Sequence, residues 1–304
     1  MRRALQLARN GEGRVSPNPM VGAVIVYNDR IIGEGFHALY GGPHAEVNAI
    51  NSVKDEDKKF LKDSTIYVTL EPCAHYGKTP PCANLIVNTG IPNVVIGSLD
   101  PNPLVAGKGV KILEEAGVKV KTGVLKQESY ELNKRFMKAH SGNMPWVILK
   151  WAQSADGFMA SIDKNGNPSP VKFSTPLSAV WMHRQRANVD AILVGANTEK
   201  IDHPSLNVRL WGGNSPRKFV AVDKIDIRDF CQNLRENGVT SLMVEGGSRL
   251  LKSFIDEGIY DEIRVETSPL LLKEGLKAPV LPTDLELVAT EKCRSNIIST
   301  FKKA

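Results

Sequence analysis

Two stretches decide how this chain is read: His44-Ala45-Glu46, and Glu71-Pro72-Cys73-Ala74-His75-Tyr76-Gly77-Lys78-Thr79-Pro80-Pro81-Cys82. An imidazole and two thiolates form a donor set suited to a borderline-soft ion such as zinc. Each donor stands at a predicted helix entrance after a strand or loop. There, backbone N–H groups and the helix dipole favour thiolates and a bound anion. Glu46 lies two residues beyond the histidine, close to such an ion yet not needed as a ligand. A carboxylate so placed can take a proton from water and deliver it to a ring nitrogen and a leaving amine. Zinc can bring the pKa of its water to about 7, so the chemistry is accessible at neutral pH. The combination implies hydrolytic deamination of a heterocycle.

Eight residues separate the two cysteines, against two in the general pattern for such sites. The insert reads as a loop at the mouth of the site. Within it, His75 offers a fourth ligand, which would close the tetrahedron and make the zinc structural. Glu46 would have no task in a closed site, which favours the catalytic reading. Cys231 and Cys293 stand apart from this group, among apolar or helix-like neighbours, and read as small core residues.

The 304 residues have room for two domains, and 42% hydrophobic with 24% charged residues is a soluble globular composition. No apolar run is long enough for a membrane helix, and the basic start Met1-Arg2-Arg3 lacks the apolar region of a signal peptide. A cytoplasmic location is expected. The net charge of +6 is spread along the chain without a basic stripe interleaved with aromatics, so it suits anionic small molecules as well as nucleic acid.

Outward from the two stretches, the first half alternates strands and helices. Residues 22–27 and 30–35 predict a hairpin turned at Asn28-Asp29, and 46–53 a helix. A buried strand is expected at 64–70, a helix opening on Pro81 at 81–89, and a strand at 93–98. A helix at 110–116 closes on Gly117, a strand follows near 118–123, and 127–139 reads as one helix. Gly107-Lys108-Gly109 lacks the third glycine of a dinucleotide fingerprint and reads as a loop and helix start. An α/β domain with a mixed sheet is expected. Ser141-Gly142-Asn143-Met144-Pro145 is the linker, giving domains 1–142 and 145–304. Beyond it, strands are expected at 146–151, 191–195, 218–222, 241–245 and 262–266, helices at 176–186 and 228–237, and a terminal strand pair around 286–289 and 297–301.

With Ser16-Pro17-Asn18-Pro19-Met20-Val21-Gly22 and Gly35-Phe36-His37, the quoted stretches resemble the bifunctional deaminase/reductase family of riboflavin biosynthesis. The long Pro-Cys to Pro-Pro-Cys loop is specific to it, since cytidine and tRNA deaminases carry the short cysteine spacing. The resemblance implies a cytidine-deaminase-like three-layer domain followed by a dihydrofolate-reductase-like α/β domain. It implies zinc on His44, Cys73 and Cys82, Glu46 as proton shuttle, and Asn18, His37, His75, Lys78 and Thr79 near the substrate. Lys78 suits a phosphate, and Asn18 with the histidines suits a pyrimidine edge. Asn18, lying between two prolines, reads equally well as a turn residue.

The second half continues the resemblance through Leu149-Lys150-Trp151, His183 to Arg186, the run Asp190-Ala191-Ile192-Leu193-Val194-Gly195-Ala196-Asn197-Thr198, Asp202 to Arg209, and Val244-Glu245-Gly246-Gly247. It implies NADPH near Ser174, Gly195, Thr198, Asp202, Gly246 and Gly247. Substrate would lie near Lys150, Arg186, Leu206, Arg209 and Glu245, with the arginines on its phosphate. Glycines between a strand and a helix admit a phosphate to backbone N–H groups, although each also reads as a cap or packing site. Only twenty residues separate Asp223 from Val244, fewer than the family usually has, so the second domain looks shortened and a missing internal strand would leave unpaired edges.

The implied activity is zinc-dependent deamination of 2,5-diamino-6-(5-phosphoribosylamino)pyrimidin-4-one, followed by NADPH-dependent reduction of its ribosyl group to ribityl. A homo-oligomer acting on a small phosphorylated pyrimidine, without nucleic acid or membrane, is expected. Three alternatives are a deaminase with a degenerate second domain, an RNA-editing deaminase, and a structural zinc scaffold.

Overall fold

The computed structural model describes residues 1–75, 80–103, 105–222 and 225–303. The chain divides into two compact units, Met1–Gly142 and Asn143–Ala304.

In the first unit a short helix α1 (Arg2–Ala8) precedes the hairpin β1 (Gly22–Tyr27) and β2 (Arg30–Phe36). Asn28 and Asp29 both have positive φ, 45° and 57°, the two-residue turn whose twist suits a hairpin. There follow α2 (Ala45–Asn51), β3 (Thr65–Leu70), α3 (Cys82–Thr89), β4 (Asn93–Ser98), α4 (Lys108–Glu115), β5 (Lys119–Lys121), α5 (Lys126–Leu132) and α6 (Lys134–Ser141). The sheet order is β2-β1-β3-β4-β5. The pairs β1/β2 and β1/β3 run antiparallel, and β3/β4 and β4/β5 parallel. Alternate residues divide the sheet between two cores. Ala23, Ile25, Ile66, Val68, Val94 and Ile96 pack against Ala45 and Ala49 of α2, Ala83 and Ile86 of α3 and Leu113 of α4. Val24 faces the other way, onto Ala4 and Leu7 of α1. The unit is thus a three-layer α/β/α sandwich around a mixed sheet.

One helix was expected over 127–139, and the structure has two. The break falls at Asn133, whose Oδ1 accepts the Met20 N–H and whose Nδ2 donates to the Met20 carbonyl, both at 2.8 Å. A side chain that answers a distant backbone residue in this way overrides helical periodicity. α1 was not expected, since its apolar face is only two turns long.

The second unit contains β6 (Trp146–Gln153), β7 (Phe158–Ile162), β8 (Pro168–Ser169), α7 (Pro176–Ala187), β9 (Ala191–Gly195), α8 (Ala196–Asp202), β10 (Arg217–Ala221), α9 (Ile227–Glu236), β11 (Ser241–Glu245), α10 (Ser248–Asp256), β12 (Glu262–Thr267), β13 (Leu276–Lys277), β14 (Leu285–Cys293) and β15 (Asn296–Lys303). The main sheet runs β10-β9-β11-β6-β12-β15-β14, and β13-β7-β8 form a small second sheet. Strands β10 to β12 in that order are parallel, while β15 and β14 are antiparallel additions at one side. Val147, Leu149, Leu193, Val244 and Ile263 pack with Cys231 of α9 and Phe254 of α10, while Ile148, Ile192, Val194 and Met243 pack with Met182 of α7. Cys231 and Cys293 are both buried.

The expected gap in the sheet is corrected here. The short connection leaves β10, passes through α9 and enters β11, and β10 is an edge strand. From β9 to β15 every neighbour is paired, so the shortening falls at a margin and leaves no unpaired interior edge. α8 was also not expected. None of its residues is buried, so it carries no apolar periodicity to read.

Candidate active sites

His44 caps α2, which starts where the loop after β2 returns to the sheet, and Cys82 is the first residue of α3. Cys73 follows the end of β3. The side-chain donor atoms of His44, Cys73 and Cys82 lie within 4.8 Å of one another. His44 Nδ1 is 3.6 Å from Cys73 Sγ and 3.4 Å from Cys82 Sγ. Zinc bonds of about 2.3 Å to sulfur and 2.0–2.1 Å to nitrogen, at a tetrahedral angle, require about 3.5 Å between such atoms. The donor set therefore fits zinc in chemistry and in span. Among the described residues the cluster does not include His75, so the four-ligand closed site is not what the geometry provides.

The Cys82 side chain and backbone N–H both hydrogen-bond to Cys73, and with His44 they push the Cys73 thiol down to about 4. The same contact, together with burial, pushes the Cys82 thiol up. The pair thus holds one negative charge that a cation would extend to two. Glu46, on the first turn of α2, is 3% exposed, and burial pushes its carboxyl up to about 7.

His44, Glu46 and Cys73 line a cavity of about 320 Å³. On its wall His37 Nδ1 lies 2.9 Å from the Pro43 carbonyl, so that nitrogen donates and Nε2 accepts from Asn18 Nδ2 at 3.2 Å. Asn18, His37 and His75 all line the cavity, so Asn18 does more than turn the chain between its prolines. Lys78 and Thr79 lie outside the described residues. Sequence reasoning missed Asp100, Asn102, Phe136 and His140, which line the same space. Asp100 and Asn102 follow the carboxyl end of β4, a position from which α/β sheets commonly present ligand-binding groups. No local signal marks His140, brought in from the end of α6.

Glu71, adjacent in sequence to the site, has a different task. Its carboxylate accepts backbone N–H groups of Asp100, Gly107, Gly109 and Val110 at 2.9–3.3 Å. It clamps the wall segment and the start of α4 onto the Pro72-Cys73 turn. Gly109 approaches so closely that a Cβ there would lie 2.1 Å from the Pro72 carbonyl oxygen.

In the second unit, Glu245 at the end of β11 stands opposite Lys150 of β6 in the ladder. Arg186 of α7 grips it with two hydrogen bonds, Nε to Oε1 at 3.0 Å and Nη2 to Oε2 at 2.9 Å. Burial pushes the Glu245 carboxyl up, but Lys150 and Arg186 outweigh it and hold the group below the usual carboxylate range. Arg209 joins this group through His183, whose Nδ1 accepts the Arg209 backbone N–H at 3.1 Å. Leu206 is buried against β9 and α7 with a φ of 49°. Gly246 and Gly247 have φ of 89° and 48°, and a Cβ on Gly246 would lie 2.8 Å from Thr198 Cγ2. That glycine turn, against Thr198 and ahead of α10, leaves a bare backbone suited to a nucleotide phosphate. Gly195 ends β9, and Asp202 ends α8 exposed. The Ser174 hydroxyl donates to Glu266 Oε2 at 2.8 Å, and Asn296 Nδ2 donates to the other oxygen at 2.6 Å. His183, Glu266 and Asn296 were not anticipated as neighbours of these residues, because only the sheet register and α7 bring them there.

The first unit has the fold and donor set of a zinc-site deaminase domain, and it precedes a second, parallel-sheet domain. The family model described as the cytidine and deoxycytidylate deaminase zinc-binding region matches residues 1–98, and the RibD C-terminal domain matches 145–232 and 216–301. The riboflavin biosynthesis protein RibD of Bacillus amyloliquefaciens is 39% identical, covering 92% of this chain and 86% of its own. The RibD protein of Aquifex aeolicus is 35% identical over 91% of this chain and 88% of its own. A crystal structure of the diaminohydroxyphosphoribosylaminopyrimidine deaminase/5-amino-6-(5-phosphoribosylamino)uracil reductase of Thermotoga maritima is 34% identical and superposes with a TM-score of 0.89, covering 100% of this chain and 97% of that one. The chain belongs to the RibD family of riboflavin biosynthesis proteins.

Proposed function

We propose that this chain carries out two consecutive steps of riboflavin synthesis. The first unit hydrolyses the exocyclic amine of 2,5-diamino-6-(5-phosphoribosylamino)pyrimidin-4-one, releasing ammonia. The second reduces the ribosyl group of the product to ribityl with NADPH. The observation that carries the reading is the His44, Cys73 and Cys82 cluster, whose His44 and Cys73 line one cavity together with buried Glu46. Zinc, held by these three ligands, supplies the Lewis acidity that makes water a nucleophile near neutral pH. Glu46 would take one proton from the attacking water and pass it to the ring nitrogen. It would then take the second from the hydroxyl of the tetrahedral adduct and pass it to the amine, which leaves as ammonia as the C–N bond breaks and the carbonyl forms. A carboxyl near pH 7 is matched to both transfers. Asn18, His37 and His75 hold the pyrimidine edge, with Lys78 and Thr79 of the loop assigned to the same substrate.

In the second unit NADPH is the two-electron reductant, held by Ser174, Gly195, Thr198, Asp202, Gly246 and Gly247. Lys150, Glu245, Arg186, Leu206 and Arg209 lie by the substrate, with the two arginines on its phosphate. Arg186 is engaged by Glu245, which presets the direction of its remaining donors. This reading makes the chain a cytoplasmic homo-oligomer working on a small molecule, without nucleic acid. No helix among the described residues is long and apolar enough to cross a membrane.

Product analysis of the diamino substrate with and without NADPH tests the proposal. Ammonia and the deaminated pyrimidine should form without NADPH, and the ribityl product only with it. Ammonia release with no ribityl product would reduce the second unit to a scaffold, and no ammonia at all would overturn the deaminase assignment.

A further inference from the structure

The groups assigned above to the sugar phosphate converge on a side chain that has no role in that assignment. His183 of α7 is 3% exposed, and Arg186, Arg209, Glu245 and the Asn207 backbone face its ring. Its Nδ1 accepts the Arg209 backbone N–H at 3.1 Å, so the ring proton of the neutral histidine sits on Nε2. Burial and the two nearby guanidinium groups favour that neutral form. An acceptor at Nδ1 exists only while the ring is neutral.

What this bond holds is an irregular segment. His203 and Leu206 both have positive φ, 39° and 49°, and α8 has ended before them. Leu206 pins the segment from below by packing in the core. Beyond Leu206, Arg209 is exposed, with its Nη1 donating to Asn207 Oδ1 at 2.8 Å. The guanidinium is therefore aimed by its own loop, and the loop is tied to α7 through His183. Arg186 leaves the same helix one turn later, gripping Glu245. His183 thus sets the position of the second arginine relative to the first.

We infer that His183 is a positioning residue for phosphate recognition in the second unit, acting through the Arg209 backbone; this rests on the assignment of Arg209 to the substrate phosphate. It touches neither the reacting atoms nor the cofactor site in this reading. Its effect should appear in binding of the phosphorylated compound and not in binding of the same compound without phosphate.

Two near-isosteric substitutions separate positioning from bulk packing. In His183→Asn the amide oxygen can occupy the place of Nδ1, whereas His183→Gln puts its amide at the place of Nε2 and leaves the Arg209 N–H without its acceptor. The full-length protein is titrated calorimetrically with the deaminated phosphoribosylaminopyrimidine and with its dephosphorylated form. Loss of one hydrogen bond from a preset arginine corresponds to about tenfold weaker binding. His183→Gln should weaken the phosphorylated compound by about that factor and spare the dephosphorylated one, while His183→Asn stays near wild type. Equal behaviour of the two variants, or equal loss for both compounds, overturns the inference. Arg209→Met serves as the reference: if it leaves the phosphate preference intact, the phosphate assignment itself fails. If Arg209→Met removes the preference and His183→Gln does not, the assignment stands and the role of His183 fails.

Discussion

At the residue scale, the chemistry proposed for the first unit rests on one carboxyl kept out of water. Glu46 is buried, and burial alone accounts for most of its rise to about 7. Such a group costs stability in the folded chain, because an ionised carboxylate loses hydration there. Glu46→Gln keeps the shape and removes the titration. It should leave zinc content unchanged, leave thermal stability equal or higher, and slow ammonia release by about 10²–10⁴-fold, the usual contribution of general acid–base catalysis. Metal analysis beside an ammonia assay checks this, and a variant of undiminished rate would exclude Glu46 from proton transfer. The identity of Glu46 was legible in the sequence from its spacing to His44. Asp100 and His140 were not, because their nearness to it depends on how β4 and α6 end.

At the element scale, the metal-ligand turn is braced by the start of α4. Glu71 accepts four backbone N–H groups, and Gly109 packs its bare Cα against the Pro72 carbonyl. A methyl group at Gly109 must push either α4 or the Pro72-Cys73 turn aside. Gly109→Ala should therefore lower zinc affinity by about 10–100-fold, as loss of supporting contacts around a metal commonly does. Competition with a chromogenic chelator measures it. Gly107→Ala is the control: φ is 79° there and nothing lies within 4 Å, so it should cost about 1–2 kcal/mol of backbone strain and leave zinc binding intact. Equal effects from both substitutions would show that the brace is general stability. The sequence marked these two glycines as a loop and helix start, as found. It could not show that Gly109 meets Pro72, since thirty-six positions lie between them along the chain.

At the scale of the whole molecule, the two units have different weak points. The second is held partly by a buried ion group, Lys150, Arg186 and Glu245. The folded-state pKa of Glu245 lies below its unfolded value, so its contribution is present above the ordinary carboxylate pKa. It is lost as pH falls through the depressed value. Glu245→Gln should therefore flatten the acid limb of this unit's stability profile below about pH 4. At pH 7 it should cost about 3–5 kcal/mol, because Arg186 and Lys150 are left without their counter-charge. Urea unfolding across a pH series gives both quantities, and an unchanged acid limb would mean that Glu245 does not control it.

The sequence by itself determined the His44, Cys73 and Cys82 donor types, the proposal of Glu46 as proton shuttle, the alternation of strands and helices, and a division near Gly142. Those features are written in local spacing: side-chain periods, turn residues and donor types a few positions apart. Only the tertiary structure decided the strand order, and with it the outcome for the shortened segment. A twenty-residue connection reads the same whether it borders an interior strand or an edge one, and β10 proved to be an edge. Only the structure placed His183 under Arg209 and Glu71 behind the cysteine turn. Both depend on backbone N–H groups, which every residue carries and no sequence pattern distinguishes.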